Sequence, residues 1–260
     1  MKTAVLDADV IAYIASAEAD NYQDVDWGEG VTTNDGGAAK AKDVATLMVN
    51  QWAEYAKCDE VYLAFSGQGW NFRRDVHPHY KANRTGEKPK LYAPVVEWMQ
   101  SQWQWAAHEI LEGDDVIGML VTTPGEHYVG VSTDKDLKTL PGRIVHITRD
   151  GPKYIMQSEV EANRWWMMQA LMGDSVDGYK GAPGIGVKAA TTMLQGVNSL
   201  GNMWHKVVEA YGRQYIKPAQ KKKFVSRSPM QEALMNARCS RILRHGDYNK
   251  ETEEVRLWAL

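Results

Sequence analysis

The chain carries nine carboxylates in four short clusters, and each cluster adjoins an apolar segment. The clusters are Asp7 and Asp9; Glu112, Asp114 and Asp115; Asp134 and Asp136; and Asp174 and Asp177. Acids placed in this way are predicted to lie at the ends of buried strands and helices. Carboxylates that converge at one end of a sheet repel one another unless a cation neutralises them, so the pattern predicts a cation site.

The ligand atoms in these clusters are all oxygens, which favours hard divalent ions such as Mg²⁺ and Mn²⁺. Two such ions held by neighbouring carboxylates hydrolyse phosphodiester bonds, so a two-metal phosphodiesterase is the leading interpretation. Each cluster taken alone also fits an ordinary role, because acids cap helix N-termini and decorate solvated faces. Only the joint occurrence of the four clusters favours the metal site.

Basic residues are unevenly distributed in a chain of 260 residues with a net charge of −3. Residues 213–250 hold ten Lys and Arg against two acids, and residues 73–90 hold six against two. The basic stretches would hold backbone phosphates while the acidic centre holds metals. This arrangement is the one that a metal-dependent nuclease requires.

The two cysteines, Cys58 and Cys239, form neither a zinc spacing nor a disulfide framework, which points to a reducing compartment. Asp7 and Asp9 interrupt the apolar N-terminal run, which argues against a signal peptide. No apolar run reaches the roughly 18 residues of a membrane span. We therefore expect a cytoplasmic protein with no membrane partner.

Strand and helix signals alternate over the first part of the chain, which predicts an α/β fold with a mainly parallel sheet. The predicted strands are 3–6, 60–65, 128–132 and 143–148, and the predicted helices are 10–19, 41–57, 95–110 and 114–120. Asp7, Ser66 and Asp134 follow strands, where sites in parallel sheets gather. From Ser158 onward the pattern is helical, apart from a short strand at 254–258.

Two further segments fit contacts with nucleic acid. The glycine-rich turn at 181–188 precedes good helix formers, and backbone N–H groups at such a helix start bind phosphate. Carbonyls in the same turn could hold a monovalent cation. Segment 72–84 combines cations and aromatic rings, which suits a single-stranded end. An ordinary glycine-rich connection and a solvated basic loop remain the alternatives.

Taken in order, these motifs resemble those of the 5′-nuclease superfamily of flap endonucleases and 5′→3′ exonucleases, and look closest to compact exonucleases encoded by double-stranded DNA phages. The resemblance rests on segments 5–7, 72–73, 80–84, 112–115, 132–136, 173–177 and 184–186. It implies a Rossmann-like (PIN-like), mainly parallel core over residues 1–157, with an arch at about 72–94. It also implies a helical DNA-binding module over 158–260, with a helix–three-turn–helix at about 172–195.

The resemblance further implies two Mg²⁺ ions, for which Mn²⁺ would substitute. The implied ligands are Asp7, Glu112, Asp114 and Asp134 for one ion, and Asp136, Asp174 and Asp177 for the other, with Asp134 near both and Asp115 assisting. The implied DNA contacts are Arg73, Tyr80, Lys81, Arg84, Gly184, Gly186 and Lys188. Lys81 and Arg84 would stabilise the scissile phosphate, and K⁺ would occupy the glycine turn.

The sequence departs from the superfamily pattern in two places. Residues 66–68 (Ser-Gly-Gln) stand where an acid usually follows the second strand, so one ligand is absent or replaced by Ser66, Gln68 or water. Gly86, Pro89 and Pro94 disfavour a helical arch, and we expect a flexible arch that orders on substrate.

We expect a Mg²⁺-dependent 5′→3′ exonuclease that acts on the 5′ ends of duplex DNA during phage replication and DNA degradation. RNA–DNA hybrids and flaps are further expected substrates. A structure-specific flap endonuclease shares every motif, and a PIN-like RNase should lack the turn at 181–188. A non-catalytic DNA-binding protein is the remaining alternative, motivated by the departure at 66–68.

Overall fold

The computed structural model describes residues 2–20, 36–84, 86–215 and 227–259. Its main sheet contains β1 Thr3–Asp7, β2 Glu60–Ala64, β3 Gln104–Ala106, β4 Tyr128–Ser132, β5 Gly142–Thr148 and β6 Gly151–Gln157. The strand order is β3-β2-β1-β4-β5-β6. All neighbours are parallel except β5 and β6, which are antiparallel. The carboxyl ends of β1, β2 and β4 therefore lie side by side.

The helices flank this sheet and form the C-terminal part of the described chain. They are α1 Ala8–Asp20, α2 Gly36–Ala56, α3 Arg73–Val76, α4 Tyr92–Gln102, α5 Gly113–Val121, α6 Glu159–Met172, α7 Val187–Leu194, α8 Leu200–Tyr215 and α9 Pro229–Cys239, with a 3₁₀ turn at Lys135–Thr139. Two short hairpins pair β7 Gly173–Asp174 with β8 Tyr179–Lys180, and β9 Tyr248–Asn249 with β10 Glu254–Val255. No helix among the described residues is long and apolar enough to cross a membrane.

Strand β1 is apolar throughout its interior because helices cover both faces of the sheet. Leu6 packs with Ile11 of α1 and Trp52 of α2 in one buried cluster. Val5 points to the other face, where it joins Ile117 of α5 in a second cluster. Because the central strand is buried on both sides, its carboxyl end is held rigidly, and Asp7 is held with it.

The C-terminal helices α6, α8 and α9 pack around a separate apolar cluster that includes Trp166, Val207 and Ala237. Inside this cluster, Trp166 Nε1 donates a hydrogen bond of 2.7 Å to the carbonyl of Ala237. Ser158 caps the N-terminus of α6 and Ser228 that of α9, and each serine forms a capping box with the residue three positions later. These helices therefore have a core and start signals of their own.

The predicted mainly parallel α/β sheet is confirmed, but two of its six strands were missed. The predicted helix over 95–110 is wrong beyond Gln102, because the backbone of Trp103 turns extended and β3 pairs with β2. Strand β6 forms a hairpin with β5. Strand β3 depends on a distant partner, which its local pattern does not encode, whereas the turn at Asp150-Gly151 is a local hairpin signal for β6.

Residues 21–35 and 216–226 lie outside the described residues, and with them part of the basic stretch 213–250. In the arch, residues 77–84 and 86–91 contain no helix, in agreement with the sequence. Pro94 was expected to interrupt a helix, but it lies in the first turn of α4, where proline is tolerated.

Arg73 was predicted to contact DNA, but the structure buries its side chain at 2% exposure. Its guanidinium donates two hydrogen bonds of 2.7 Å to the two carboxylate oxygens of Asp115, which is fully buried. It also donates to the carbonyls of Cys239 and Arg241, while the N–H of Leu243 donates to Asp115. The pair therefore ties α3 and α5 to the segment that follows α9.

Asp115 was predicted to assist the metal ions, but both of its oxygens accept hydrogen bonds from Arg73. One of these oxygens also accepts a hydrogen bond of 3.1 Å from the N–H of Glu112, at the start of α5. Asp115 therefore fixes the backbone at the start of α5, which carries the neighbouring acids Glu112 and Asp114.

Replacing Arg73 with Met is expected to lower the free energy of unfolding by about 3–5 kcal/mol, because a fully buried Asp115 would lose its counter-ion. Urea denaturation in EDTA measures this loss. The neighbouring Arg74→Met is the matched control, since Arg74 is exposed and only lies over the ring of Trp70. Equal losses for the two variants would contradict the assigned role of the buried pair.

Candidate metal centre

The remaining predicted acids converge on two adjoining cavities at the carboxyl edge of the sheet. The larger cavity, of about 550 Å³, is lined by Asp7, Asp9, Glu112, Asp114 and Asp134 among others. The smaller, of about 130 Å³, is lined by Glu112, Asp114, Asp134, Asp136, Asp174 and Asp177 among others. Acids from β1, α5, the loop after β4 and the hairpin β7–β8 thus meet at one place.

Asp7 and Asp114 lie in the first group of acids, together with Asp134. Burial raises the pKa of Asp7 to about 7, with Asp9 and Asp134 adding to the rise, although a hydrogen bond of 2.6 Å from the Ser132 hydroxyl opposes it. Burial also raises the pKa of Asp114 well above its ordinary value, and the nearby Asp7 and Asp134 raise it further. These carboxylates therefore resist ionisation in the absence of a cation.

Asp136 lies in the second group of acids. Its pKa is raised to about 7 by burial and then by Asp134, with smaller contributions from Asp174 and Asp177. Burial raises the pKa of Asp177 as well, against the lowering effect of Lys81. Asp134 thus influences acids of both groups, as expected for a residue between two cations.

Two buried carboxylate oxygens, Oδ1 of Asp114 and Oδ1 of Asp136, have no hydrogen-bond partner among the described residues. A buried polar atom without a partner is costly, and an ionised one more so. A divalent cation beside each oxygen would remove that cost. The donor set, which consists of oxygens in two groups, therefore fits hard divalent ions.

The described residues nevertheless contain no group of three His, Cys, Asp or Glu side chains already arranged to hold an ion. Cationic side chains stand between the acids instead. Binding would therefore draw the carboxylates together, with water completing the shell, as is common for Mg²⁺.

Lys81 reaches into the centre of the site, where its ammonium forms an ion pair with Glu112 and lies 3.8 Å from Asp177 Oδ1. Burial by itself would raise the pKa of Glu112, but Lys81 and Arg73 outweigh it and lower the pKa to about 2. The backbone of Lys81 is left-handed (φ 53°), and its N–H donates to the carbonyl of Asp177. This unusual conformation directs the side chain towards the acids.

Tyr80 was expected to contact DNA, but its side chain is buried at 2% exposure. Its hydroxyl lies 2.9 Å from Glu112 Oε2 and 3.2 Å from Asp177 Oδ2, which places it between acids of the two groups. In this position Tyr80 contacts two carboxylates and is not exposed for a direct contact with DNA. Arg84 is about half exposed and donates a hydrogen bond of 2.7 Å to Asp177 Oδ1, so its guanidinium lies at the mouth of the site.

The segment that replaces the usual acid after β2 is part of the cavity wall. The hydroxyl of Ser66 accepts a hydrogen bond of 3.0 Å from the N–H of Gly113, and its own N–H donates to Asp9. A Cβ at Gly67 would lie 2.1 Å from the carbonyl oxygen of His108, so only glycine fits there. Ser66 therefore supports the start of α5.

Sequence reasoning gave no role to several residues that shape the site. The Ser132 hydroxyl bridges Asp7 and the N–H of Asp134, and its place inside the acidic motif was a usable signal. His146 lines the larger cavity and contacts the carbonyl of Thr133 at 3.0 Å. No local signal could have found it, because it arrives from the neighbouring strand β5.

The glycine turn leads into α7, whose N-cap is Gly186, without a side-chain cap. Gly184 is left-handed (φ 78°), and a Cβ would meet nothing within 4 Å at Gly184 or Gly186. Lys188 is exposed in the first turn of α7. The turn thus offers open backbone N–H groups and a cation beside the hairpin that carries Asp174.

The sequence matches the family described as 5′-3′ exonuclease, N-terminal resolvase-like domain, over residues 4–166. It is 27% identical to the exodeoxyribonuclease of Enterobacteria phage T3, with 98% of this chain and 91% of that protein covered. It is also 27% identical to the exonuclease of Escherichia phage T7, over 98% of this chain and 92% of that protein.

The fold is similar to that of a solved flap endonuclease of bacteriophage T5 in complex with DNA and metal ions. The TM-score is 0.62 at 13% sequence identity, over 91% of this chain and 89% of that one. At this identity the likeness shows a shared fold.

The metal-free protein is expected to lose stability as pH rises from 5.5 to 8.5. Because the pKa values of Asp7 and Asp136 are raised to about 7, the folded state holds protons that the unfolded state releases near pH 4. The stabilisation is therefore lost as pH rises through about 7, while Glu112 stays ionised throughout. Thermal unfolding in EDTA should show a fall of about 5 °C or more, which excess Mg²⁺ at pH 8.5 reverses.

The double variant Asp7→Asn/Asp136→Asn serves as the control for this dependence. It should flatten the fall in melting temperature across the same pH range. An unchanged pH dependence in the double variant would show that other groups are responsible.

Proposed function

The chain belongs to the 5′-3′ exonuclease family, and from this membership we propose that it hydrolyses phosphodiesters at the 5′ ends of duplex DNA with two divalent ions. The observation that carries the proposal is the pair of buried carboxylate oxygens without partners, on Asp114 and Asp136. Each belongs to a different group of acids, so one cation beside each would satisfy both. The named exonucleases of phages T3 and T7 support the same activity.

The proposed ions are Mg²⁺, with Mn²⁺ as a substitute. The ligands of the first would be Asp7, Glu112, Asp114 and Asp134, and those of the second Asp134, Asp136, Asp174 and Asp177. Bound there, the ions would activate a water molecule and neutralise the charge that develops on the phosphate and the departing oxygen. The T5 structure that contains metal ions supports metal dependence.

Lys81 and Arg84 are the proposed catalytic cations. In the described structure Lys81 forms ion pairs with Glu112 and Asp177, and Arg84 forms one with Asp177. When divalent ions neutralise those carboxylates, the ammonium and guanidinium become available to the scissile phosphate at the same place. Both side chains line both cavities, which supports this role.

Residues 158–260 are proposed to form the DNA-binding module, with a helix–three-turn–helix at about 172–195. The open N–H groups at Gly184 and Gly186 and the exposed Lys188 would bind phosphates of the duplex. K⁺ in the glycine turn would strengthen that contact. Asp174 lies in the short hairpin β7–β8, directly before the glycine turn in the sequence, so a duplex held by the turn would lie beside the acids.

The proposed setting is DNA replication and degradation inside a bacterial cell infected by a phage, following the phage relatives. RNA–DNA hybrids and flapped duplexes are proposed as further substrates. A duplex end is favoured over a flap because the relatives that cover nearly the whole chain are named exonucleases.

The polarity and the metal requirement are tested together on a duplex labelled at either the 5′ or the 3′ end of one strand. With Mg²⁺, short products from the 5′-labelled strand should appear first, and EDTA should abolish them. Asp114→Asn and Asp136→Asn should each slow cleavage by about 100-fold or more, because each removes a ligand. DNA binding without cleavage by the wild-type protein would favour a non-catalytic DNA-binding protein.

The contact at the glycine turn is tested by the salt dependence of DNA binding. Lys188→Ala should weaken binding to all duplexes and reduce the slope of log affinity against log salt by about 1, because one phosphate contact is lost. Lys153→Ala, on the exposed edge strand β6, is the matched control and should leave the slope unchanged. If the slopes of log affinity against log salt were equal for the two variants, Lys188 would not contact a DNA phosphate.

A further inference from the structure

Asp9 is an acid of the larger cavity that belongs to neither ligand group. It lies in the first turn of α1, two residues after Asp7. Its Oδ2 accepts a hydrogen bond of 2.7 Å from the N–H of Ser66, and its Oδ1 accepts one of 2.7 Å from the hydroxyl of Tyr92. One carboxylate therefore joins the start of α1 to the turn after β2 and to the start of α4.

The same carboxylate supports the start of α5. Ser66, which Asp9 holds, accepts a hydrogen bond from the N–H of Gly113. A Cβ placed on Gly113 would lie 3.2 Å from Asp9 Oδ2, so the helix start packs closely against it. Gly113 stands between Glu112 and Asp114 in the sequence. The positions of the proposed ligands Glu112 and Asp114 therefore depend on the contacts of Asp9 with Ser66 and with the start of α5.

Tyr92 connects this support to the arch. Its side chain is buried, its hydroxyl points to Asp9, and the ammonium of Lys88 lies 3.9 Å from the centre of its ring. Lys88 belongs to the arch segment that precedes α4. The tyrosine thus contacts an acid of the cavity at one end and a cation of the arch on its face.

We propose that Asp9 and Tyr92 form a positioning pair that sets the arrangement of Asp7, Glu112 and Asp114, and through it the affinity for the first divalent ion. The inference rests on the proposed function, because it concerns the same metal site. Lys88 makes the arch part of this unit, so the arch contributes to metal affinity before DNA is bound. Residues that orient metal ligands in this way typically change metal affinity by 10- to 100-fold when replaced.

The test measures Mn²⁺ binding by titration calorimetry without DNA, beside thermal unfolding of the same samples. Tyr92→Phe keeps the ring and removes the hydroxyl, and should weaken binding of the first ion about tenfold with little change in melting temperature. Asp9→Asn should weaken it at least as much. Lys88→Met should weaken it about threefold, because only the contact with the ring is lost.

Tyr13→Phe on the exposed face of α1 and Asp43→Asn on α2 are matched controls and should bind Mn²⁺ as the wild type does. In cleavage assays, Tyr92→Phe should raise the Mg²⁺ concentration for half-maximal rate by the same factor. The KM for DNA at saturating Mg²⁺ should stay within about twofold, because the pair acts on the ion and not on the duplex.

Wild-type protein that binds no Mn²⁺ would overturn the proposed function, and the inference with it. Wild-type binding that Tyr92→Phe leaves unchanged would overturn the inference alone. A lower melting temperature with unchanged Mn²⁺ affinity would also overturn it, since the pair would then only hold α1 against α4. If Asp9→Asn fails to fold, Tyr92→Phe decides, because that substitution preserves the shape of the buried ring.

Discussion

Repulsion among buried carboxylates is the constraint to which the rest of the molecule is adapted. Acids from strands, helix starts and a hairpin meet at one edge of the sheet, where burial raises the pKa values of Asp7 and Asp136 to about 7. The protein offsets part of this repulsion with the Ser132 hydroxyl and with the cations of Lys81 and Arg84. The rest of the repulsion is not offset, and two buried carboxylate oxygens have no hydrogen-bond partner among the described residues. Bound cations would recover the free energy that these unpartnered oxygens cost.

Two adjacent acids show how the fold separates structural from chemical roles. Asp114 and Asp115 stand next to each other in the first turn of α5, but successive helical residues point about 100° apart. Asp114 faces the cavity with an unpartnered oxygen, whereas Asp115 faces inward and binds Arg73. The inward pair fixes the helix, and the fixed helix presents Asp114 and Glu112 to the cavity. A salt bridge that never meets substrate thereby positions the groups that do the proposed chemistry.

The arch and the acidic site are linked by the same few contacts. Tyr80 and Lys81 reach from the arch to Glu112 and Asp177, and Tyr92 reaches from its far end to Asp9. The cationic side chains of the arch and the divalent ions would therefore compete for the same carboxylates. Whether the carboxylates bind side chains or ions would determine where the arch side chains lie. Under the proposed function, ion binding and DNA binding would be coupled, because the ions would release from these carboxylates the side chains proposed to bind the phosphate.

The sequence by itself determined the parallel α/β core, the location of the acids at its carboxyl edge, and the family. It could do so because an apolar strand that ends in an acid is a pattern of a few consecutive residues. It did not identify β3, whose pairing partner β2 lies about 40 residues earlier in the chain, or β6, although Asp150-Gly151 is a local signal for its hairpin with β5. It also predicted that Arg73 and Tyr80 contact DNA and that Asp115 assists the metal ions, whereas tertiary packing buries all three side chains. A motif specifies which residue types are close, but only the packed structure decides which side of a helix or turn each one faces. That orientation separates the carboxylates left for cations from those that a buried guanidinium already neutralises.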